Sequence, residues 1–271
     1  MRMSLNEGLS CLALTACSRY VVRRMMMRLC NIAAMITISP WLSGCERQGP
    51  LANDATAAVS AATDKSASDP VVVELYQSQG CSSCPPANAA LNAIADQSNV
   101  IALSFAVTYW DRLGWKDIFA DNAYTQRQYD YAEALGKANV YTPQMVINGT
   151  RAITGNRPGE LTRAIVASKP VSDGPKVEFT NSIVTVGAGR GSADIWLVRY
   201  DPLIQNVAIR AGENGDRTLP HKNVVRQLKH IGSWNGQQAS FKLSRSTNTG
   251  WKSVILVQRV GAGPIISAKK I

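Results

Sequence analysis

The chain has 271 residues, of which 29 are Lys or Arg and 19 are Asp or Glu, so its formal net charge is +10. Hydrophobic residues make up 45% of the chain and charged residues 18%, proportions that exclude an intrinsically disordered tail and a fibrous repeat. No apolar run approaches the roughly 20 residues that a membrane-spanning helix needs, which excludes a polytopic membrane protein.

Residues 1–44 are predicted to be a signal peptide for export. Four arginines between residues 19 and 28 form a basic stretch, and residues 29–42 form a mostly apolar stretch of 14 residues. This order is typical of secretory signal peptides, and the apolar part is too short for a stop-transfer helix.

The leader ends in Leu42-Ser43-Gly44-Cys45, which resembles the lipobox of bacterial lipoproteins. The resemblance implies that Cys45 becomes the first residue and carries a lipid that anchors the protein to a membrane. It also implies a place in the bacterial cell envelope, facing the periplasm. An ordinary signal peptide that happens to contain a cysteine is the alternative.

Cleavage before Cys45 would leave 24 basic and 18 acidic residues. These charges are dispersed and form no basic stripe, so no binding of nucleic acid is expected. With Cys45 lipidated and three cysteines lost in the leader, only Cys81 and Cys84 stay free. Residues 46–69 are rich in small and polar residues without a hydrophobic period. Together with the lipidated cysteine they form a predicted flexible tether over residues 45–69.

Residues 70–170 alternate between strand and helix patterns. A β-branched run, a helix-forming run and a second apolar run predict a βαβ unit with two parallel strands. Next come a loop with aromatic and charged residues, a helix, and a hairpin marked by Asn148-Gly149. A last amphipathic helix ends before Pro170. The predicted segments are strands at 71–76, 100–107, 144–147 and 151–154, and helices at 87–95, 123–135 and 160–167.

Residues 171–271 show mainly strand patterns separated by Gly, Asn and Asp clusters. The predicted fold class is therefore α/β, with a thioredoxin-like domain over residues 70–170 followed by a smaller, mainly β domain over residues 171–271. An extension of the first sheet by these strands is the alternative. The predicted strands lie at 176–186, 193–200, 207–212, 240–243 and 254–260.

Cys81 and Cys84 are the candidate catalytic residues. They lie between a predicted buried strand and a helix, where free N–H groups and the helix dipole stabilise an anion. Since the thiolate is the reactive form of cysteine, Cys81 is expected to attack and Cys84 to resolve. A structural disulfide is one alternative, although so short a loop gives little stabilisation. Another is a metal site in which both thiolates hold Cu(I), with Met145 as a third ligand.

The strand at 73–76, followed by Cys81-x-x-Cys84, resembles the redox site of thioredoxin-fold oxidoreductases over residues 70–168. The resemblance implies that Glu74 is a buried catalytic acid, although it lies seven residues before Cys81 where the family usually has six. A residue at a strand edge is the alternative. Thr142-Pro143 resembles the cis-proline loop that faces the cysteines in that fold, which implies substrate binding by both residues.

A closer resemblance is to a bacterial exported family known only as a domain of unknown function with a thioredoxin-like fold. It covers nearly all of the chain that remains after export, and it implies no settled activity. The stretches that carry it are 74–87, 109–117, 140–145, 212–215 and 221–226.

Trp110, Asp111 and Trp115 are candidates for substrate binding. They follow the second strand of the βαβ unit, and ligands collect at the carboxyl ends of parallel strands. The alternative is that the tryptophans cover the core while the charges are solvated. His221 is expected to be a hydrogen-bonded surface or hairpin residue.

These features predict an envelope thiol–disulfide oxidoreductase that exchanges disulfides with protein thiols and disulfides. No cofactor is expected, because the electrons reside in the dithiol pair. A non-catalytic module that binds copper, or another ligand, in the same cleft is the alternative function.

Overall fold

The structure is a computed structural model that describes residues 70–171 and 174–271. The predicted signal peptide, the predicted lipid site at Cys45 and the predicted tether lie outside the described residues. Within those residues, no helix is both long enough and apolar enough to cross a membrane.

The described residues form thirteen strands, three α-helices and a short 3-10 helix at Asp111–Leu113. The helices are α1 (Pro85–Ile94), α2 (Asn122–Ala134) and α3 (Glu160–Val166). The strands are β1 (Val71–Gln77), β2 (Val100–Ala106), β3 (Gln144–Ile147), β4 (Arg151–Ile153), β5 (Val177–Thr180), β6 (Ile183–Val186), β7 (Ala193–Asp201), β8 (Gln205–Ile209), β9 (Arg217–His221), β10 (Val224–Trp234), β11 (Ala239–Lys242), β12 (Lys252–Arg259) and β13 (Ile265–Lys270).

Eight of the strands form one mixed sheet in the order β13-β12-β7-β10-β2-β1-β3-β4. The pairs β1–β2 and β2–β10 are parallel, and the other neighbours are antiparallel. The contact between β2 and β10 is brief: Val224 lies beside Ser104, and the N–H of Ser104 donates to the carbonyl of Asn223 over 3.0 Å. A second sheet has the order β11-β6-β5, and β8 and β9 form a hairpin.

The predicted fold class, a thioredoxin-like α/β domain followed by a smaller β domain, is wrong. The described chain is mostly β, and its large mixed sheet contains strands from both halves. The cause is the open edge of β2, whose unpaired backbone groups need partners and find them on β10. Strands β7, β12 and β13 then continue the sheet, as the alternative of an extended sheet anticipated.

The local predictions in the first half agree with the observed elements. The predicted strand–helix–strand unit corresponds to β1, α1 and β2, and β1 pairs in parallel with β2. Asn148 and Gly149 have φ of 49° and 68°, as a type I′ turn requires, and they join β3 to β4.

Both faces of the large sheet are covered by apolar clusters. Helices α1 and α3 pack on the face that carries Val73 and Leu75 of β1. Helix α2 packs on the opposite face, against Tyr76 of β1 and Phe105 of β2. The β8–β9 hairpin covers the carboxyl end of β2 through a third cluster that includes Ala106, so its loop (residues 210–216, the β8–β9 loop) comes close to the start of α1.

Candidate active site

The candidate active site is centred on the loop that connects β1 to α1 (residues 78–84, the cysteine loop). Cys81 and Cys84 form a disulfide in this loop. Cys84 is the N-cap residue of α1, with helical φ and ψ of −77° and −32°. Pro85 and Pro86 occupy the first two helical positions, where the missing N–H groups cost no helical hydrogen bond. The disulfide therefore lies at the amino terminus of a helix.

Both cysteines are buried, with 0% of Cys81 and 2% of Cys84 exposed. Ser83 is exposed, and its Oγ lies 3.3 Å from the sulfur of Cys81. The single proton of this hydroxyl can be donated either to that sulfur or, over 3.4 Å, to the carbonyl of Thr142. Ser83 thus connects the disulfide to the segment before β3.

The residues predicted from the cis-proline resemblance lie beside the disulfide. The Thr142–Pro143 peptide bond is cis, and Pro143 is buried. The indole N–H of Trp110 donates to Oγ1 of Thr142 over 2.7 Å. Trp110 also lies close to Gly80 of the cysteine loop. Thr142, Pro143 and Trp110 therefore form one side of the site.

Trp115 and Asp111, the other predicted substrate residues, reach the site by different routes. The indole N–H of Trp115 donates to Oε1 of Gln79 over 2.8 Å, which is a direct contact with the cysteine loop. Asp111 accepts the backbone N–H of Asp117 over 3.1 Å. Asp117 in turn accepts the backbone N–H groups of Gln79 and Phe119 over 2.7 and 2.8 Å. Asp111 acts on the cysteine loop through Asp117.

Asp117 is a site residue that the sequence did not single out. It is only 2% exposed, and burial raises the pKa of its carboxyl group to about 6, although the hydrogen bonds from Gln79 and Phe119 act in the opposite direction. Asp117 holds the backbone of Gln79, two residues before Cys81, so it fixes the start of the cysteine loop.

The β8–β9 loop closes the site from the second half of the chain. Asn214 is completely buried, and its Nδ2 donates to the carbonyls of Gln79 and Cys81 over 2.9 and 2.8 Å. The carboxylate of Glu213 accepts the N–H and the hydroxyl of Ser82 over 3.0 and 2.7 Å. These bonds to Ser82 lower the pKa of Glu213, so it is ionised at neutral pH.

Glu74, predicted as a catalytic acid, is not brought to the cysteines. Its neighbours Val73 and Leu75 face α1, and strand alternation directs Glu74 to the opposite face. There its carboxylate accepts Nε of Arg127 over 2.8 Å and the hydroxyl of Tyr131. Glu74 and Arg127 form a buried ion pair between β1 and α2.

His221 is buried, which the sequence did not predict. It is 1% exposed, its Nδ1 lies 2.7 Å from Nδ2 of Asn88, and its ring contacts the ring of Phe119 edge-on. Burial lowers the pKa of its imidazole to about 4, so His221 is neutral at pH 7. Since Asn88 lies one helical turn after Cys84, this pair ties β9 to the first turn of α1.

The described residues contain no group of three or more His, Cys, Asp or Glu side chains placed to hold a metal ion. Met145, the predicted third copper ligand, is completely buried in the apolar cluster below α1. Its sulfur lies against Gly155.

A family described as "Protein of unknown function (DUF1223)" matches residues 72–258. The chain belongs to this family. The match includes the cysteine loop, the loop with both tryptophans, the segment before β3 and the β8–β9 loop. All the walls of the candidate site thus lie within the DUF1223 region.

A crystal structure of a protein from Agrobacterium tumefaciens is similar to this DUF1223 protein, with 30% identity and a TM-score of 0.64. The likeness covers 75% of this chain and 94% of that chain. HBP35 of Porphyromonas gingivalis has 12% identity and a TM-score of 0.48 over 75% of each chain, a likeness that carries no conclusion. The comparison with curated proteins found no match.

Two signals in the sequence pointed to the missed residues of this DUF1223 site. Asp117 ends one of the stretches that carry the family resemblance, and Glu213 and Asn214 lie in another. Asn214 lies 133 residues after Cys81, and no local sequence pattern indicates that its side-chain amide binds the cysteine loop. Only the fold therefore assigns Asn214 to the site.

Proposed function

We propose that this protein is a thiol–disulfide oxidoreductase that exchanges disulfides with protein partners in the bacterial envelope, held at the membrane by lipid on Cys45. The observation that carries the proposal is the Cys81–Cys84 disulfide at the amino terminus of α1, with a hydroxyl 3.3 Å from the sulfur of Cys81. A helix amino terminus and a hydroxyl donor both stabilise a thiolate.

In the reduced protein, the Cys81 thiolate attacks one sulfur of a partner disulfide. A mixed disulfide forms, and the partner's other sulfur leaves with the electron pair and takes up a proton. Cys84, as a thiolate, then attacks Cys81, which re-forms the internal disulfide and releases the partner's second thiol. Two electrons and two protons pass from the cysteine pair to the partner, and the reverse sequence oxidises a partner dithiol.

Three of the predicted substrate residues suit the binding of an extended partner segment. Trp110 and Trp115 are both half-buried, so each offers aromatic surface beside the cysteine loop while its indole N–H is hydrogen-bonded. Thr142 lies next to Ser83, where a bound segment would pass close to Cys81. Glu74, buried beside Arg127, takes no part in this mechanism.

The burial of both sulfurs favours a second candidate, an inert structural crosslink. A disulfide between residues three apart in sequence removes little entropy from the unfolded chain, so its gain in stability is small. An oxidoreductase exchanges its disulfide with protein substrates and an inert crosslink does not, so an exchange assay distinguishes the two candidates.

The test is the reduction of insulin by the purified protein with dithiothreitol as electron donor. We expect turnover by the wild type and none by Cys81→Ser. The Cys84→Ser variant should accumulate a mixed disulfide with insulin, because the resolving thiol is missing. A wild type no faster than dithiothreitol alone, or a Cys81→Ser variant that keeps its turnover, contradicts the proposed function.

A further inference from the structure

Hydrogen bonds hold the β8–β9 loop over the cysteine loop. In the described part of the chain, four hydrogen bonds join them, two from Asn214 to the carbonyls of Gln79 and Cys81 and two from Ser82 to Glu213. Under this cover, Cys81 is completely inaccessible. A thiolate attacks a disulfide sulfur directly, and its rate depends on access.

We propose that the β8–β9 loop is a gate on Cys81, with Glu213 and Asn214 as the positioning residues that hold it shut. The inference rests on the proposed function and adds a step to it: the loop must leave the cysteine loop before a partner thiol reaches Cys81. The groups it releases are the N–H of Ser82 and the carbonyls of Gln79 and Cys81. An extended polypeptide backbone supplies the matching acceptor and donors, so the gate favours protein partners over small thiols.

The hydrogen bonds made by Glu213 and those made by Asn214 differ in strength. The Glu213 side of the loop is exposed, so its hydrogen bonds compete with water and break at small cost. The Asn214 amide is buried, and its Oδ1 also accepts Nη1 of Arg217 over 2.6 Å. Loss of Asn214 leaves the carbonyls of the buried residues Gln79 and Cys81 without this donor, which favours the open loop more strongly.

Under the proposed gate, the same four hydrogen bonds hold the loop over the oxidised and the reduced cysteine pair. All four hydrogen bonds go to backbone groups or to the hydroxyl of Ser82, and none goes to sulfur. Weakening them therefore speeds reduction and re-oxidation equally and leaves the equilibrium between the two states unchanged. This separates a gate from a charge effect of Glu213 on the Cys81 thiolate, which shifts the equilibrium.

The experiment follows reduction of the oxidised full chain by dithiothreitol, with rapid alkylation of free thiols as the readout. One dithiothreitol thiolate attacks Cys81 and expels Cys84 as a thiol. The second dithiothreitol thiol then releases Cys81, and cyclic oxidised dithiothreitol leaves. The variants are Glu213→Ala, Glu213→Gln and Asn214→Ala. Two exposed residues serve as matched controls, Asn206→Ala on the same hairpin and Glu178→Ala in β5.

We expect Glu213→Ala to react about tenfold faster than the wild type and Asn214→Ala faster still, with both controls unchanged. Glu213→Gln should stay within about threefold of the wild type, because its amide oxygen still accepts from Ser82. The equilibrium constant with dithiothreitol should be the same for all of them. If Asn214→Ala fails to fold, the comparison of Glu213→Ala with Glu213→Gln decides the outcome, because Glu213 lies at the surface.

The gate is refuted if Glu213→Ala reacts at the wild-type rate. It is also refuted if Glu213→Gln matches Glu213→Ala, or if faster reaction comes with a shifted equilibrium, since both results indicate a charge effect. The proposed function is tested separately, because an inert crosslink still reacts with dithiothreitol. If the protein does not turn over insulin but the Glu213 variants react with dithiothreitol as expected, the proposed function is contradicted and the gate is supported.

Discussion

At the scale of single residues, Gln79 is the point where three side chains hold the cysteine loop. Asp117 accepts its backbone N–H, Asn214 donates to its carbonyl, and Trp115 donates to its side-chain oxygen. The peptide group two residues before Cys81 is therefore fixed on both sides. Of these three, Asp117 is the one whose hydrogen-bonding capacity changes with pH.

Replacement of Asp117 by asparagine is expected to change how stability depends on pH. The folded protein binds the Asp117 proton with a pKa of about 6, above the value of 3.8 for the unfolded chain, so folding is favoured as the pH falls through this window. The wild type should gain stability over Asp117→Asn between pH 7 and pH 4, by on the order of 3 kcal/mol at most.

Urea unfolding of both proteins at several pH values measures this difference. The comparison with the variant is needed because His221 acts in the opposite direction: its lowered pKa, about 4, makes the folded state lose stability as the pH falls from 6.5. His221 is the same in both proteins, so its effect cancels. A difference between wild type and Asp117→Asn that stays constant over this range argues against a raised pKa at Asp117.

At the scale of elements, the Glu74–Arg127 pair joins three parts of the fold. Glu74 belongs to β1 and Arg127 to α2, and Nη2 of Arg127 also donates to Gln258 of β12 over 3.0 Å. Removal of one member of a buried ion pair leaves an uncompensated charge, which costs more than loss of both members.

Arg127→Met is therefore expected to lower the free energy of unfolding by about 3–5 kcal/mol, because Glu74 stays buried without its partner. The double variant Glu74→Gln with Arg127→Met should be more stable than Arg127→Met alone. Chemical denaturation of the wild type, both single variants and the double variant measures the coupling.

The same variants separate a structural Glu74 from a catalytic one. Glu74→Gln should leave the pH profile of insulin reduction unchanged, since Glu74 lies on the sheet face opposite α1. A profile that changes with Glu74→Gln would restore the catalytic acid inferred from the thioredoxin resemblance.

Elements fixed by local rules were predicted well, and the strands predicted at 193–200 and 254–260 correspond to β7 and β12, but the pairing of strands across the chain was not predicted. The cysteine loop, α1 and the Asn148-Gly149 turn follow from proline position, periodicity and turn chemistry, all of which act over a few residues. Strand β10 was missed, because its residues alternate poorly and its pairing with β2 joins positions far apart in the chain. The run at 176–186 was predicted as one strand, but Asn181 and Ser182, with φ of 52° and 65°, turn it into the β5–β6 hairpin.

At the scale of the whole molecule, the second half of the chain completes the site. Because β10 pairs with β2, the hairpin before it lies over the start of α1 and brings Glu213 and Asn214 onto the cysteine loop. The cysteines were predictable from their spacing, whereas the cover over them depends on the register of the eight-stranded sheet. Under the proposed gate, this arrangement lets the second half of the chain control access to Cys81.

The central claim, that the Cys81–Cys84 pair is redox-active, is tested most directly by its equilibrium reduction potential. The full chain is equilibrated in glutathione buffers of graded composition, and the two free thiols are counted after alkylation. We predict a potential between about −120 and −270 mV, the range of catalytic dithiols. A potential below about −300 mV, typical of structural disulfides, would contradict the account.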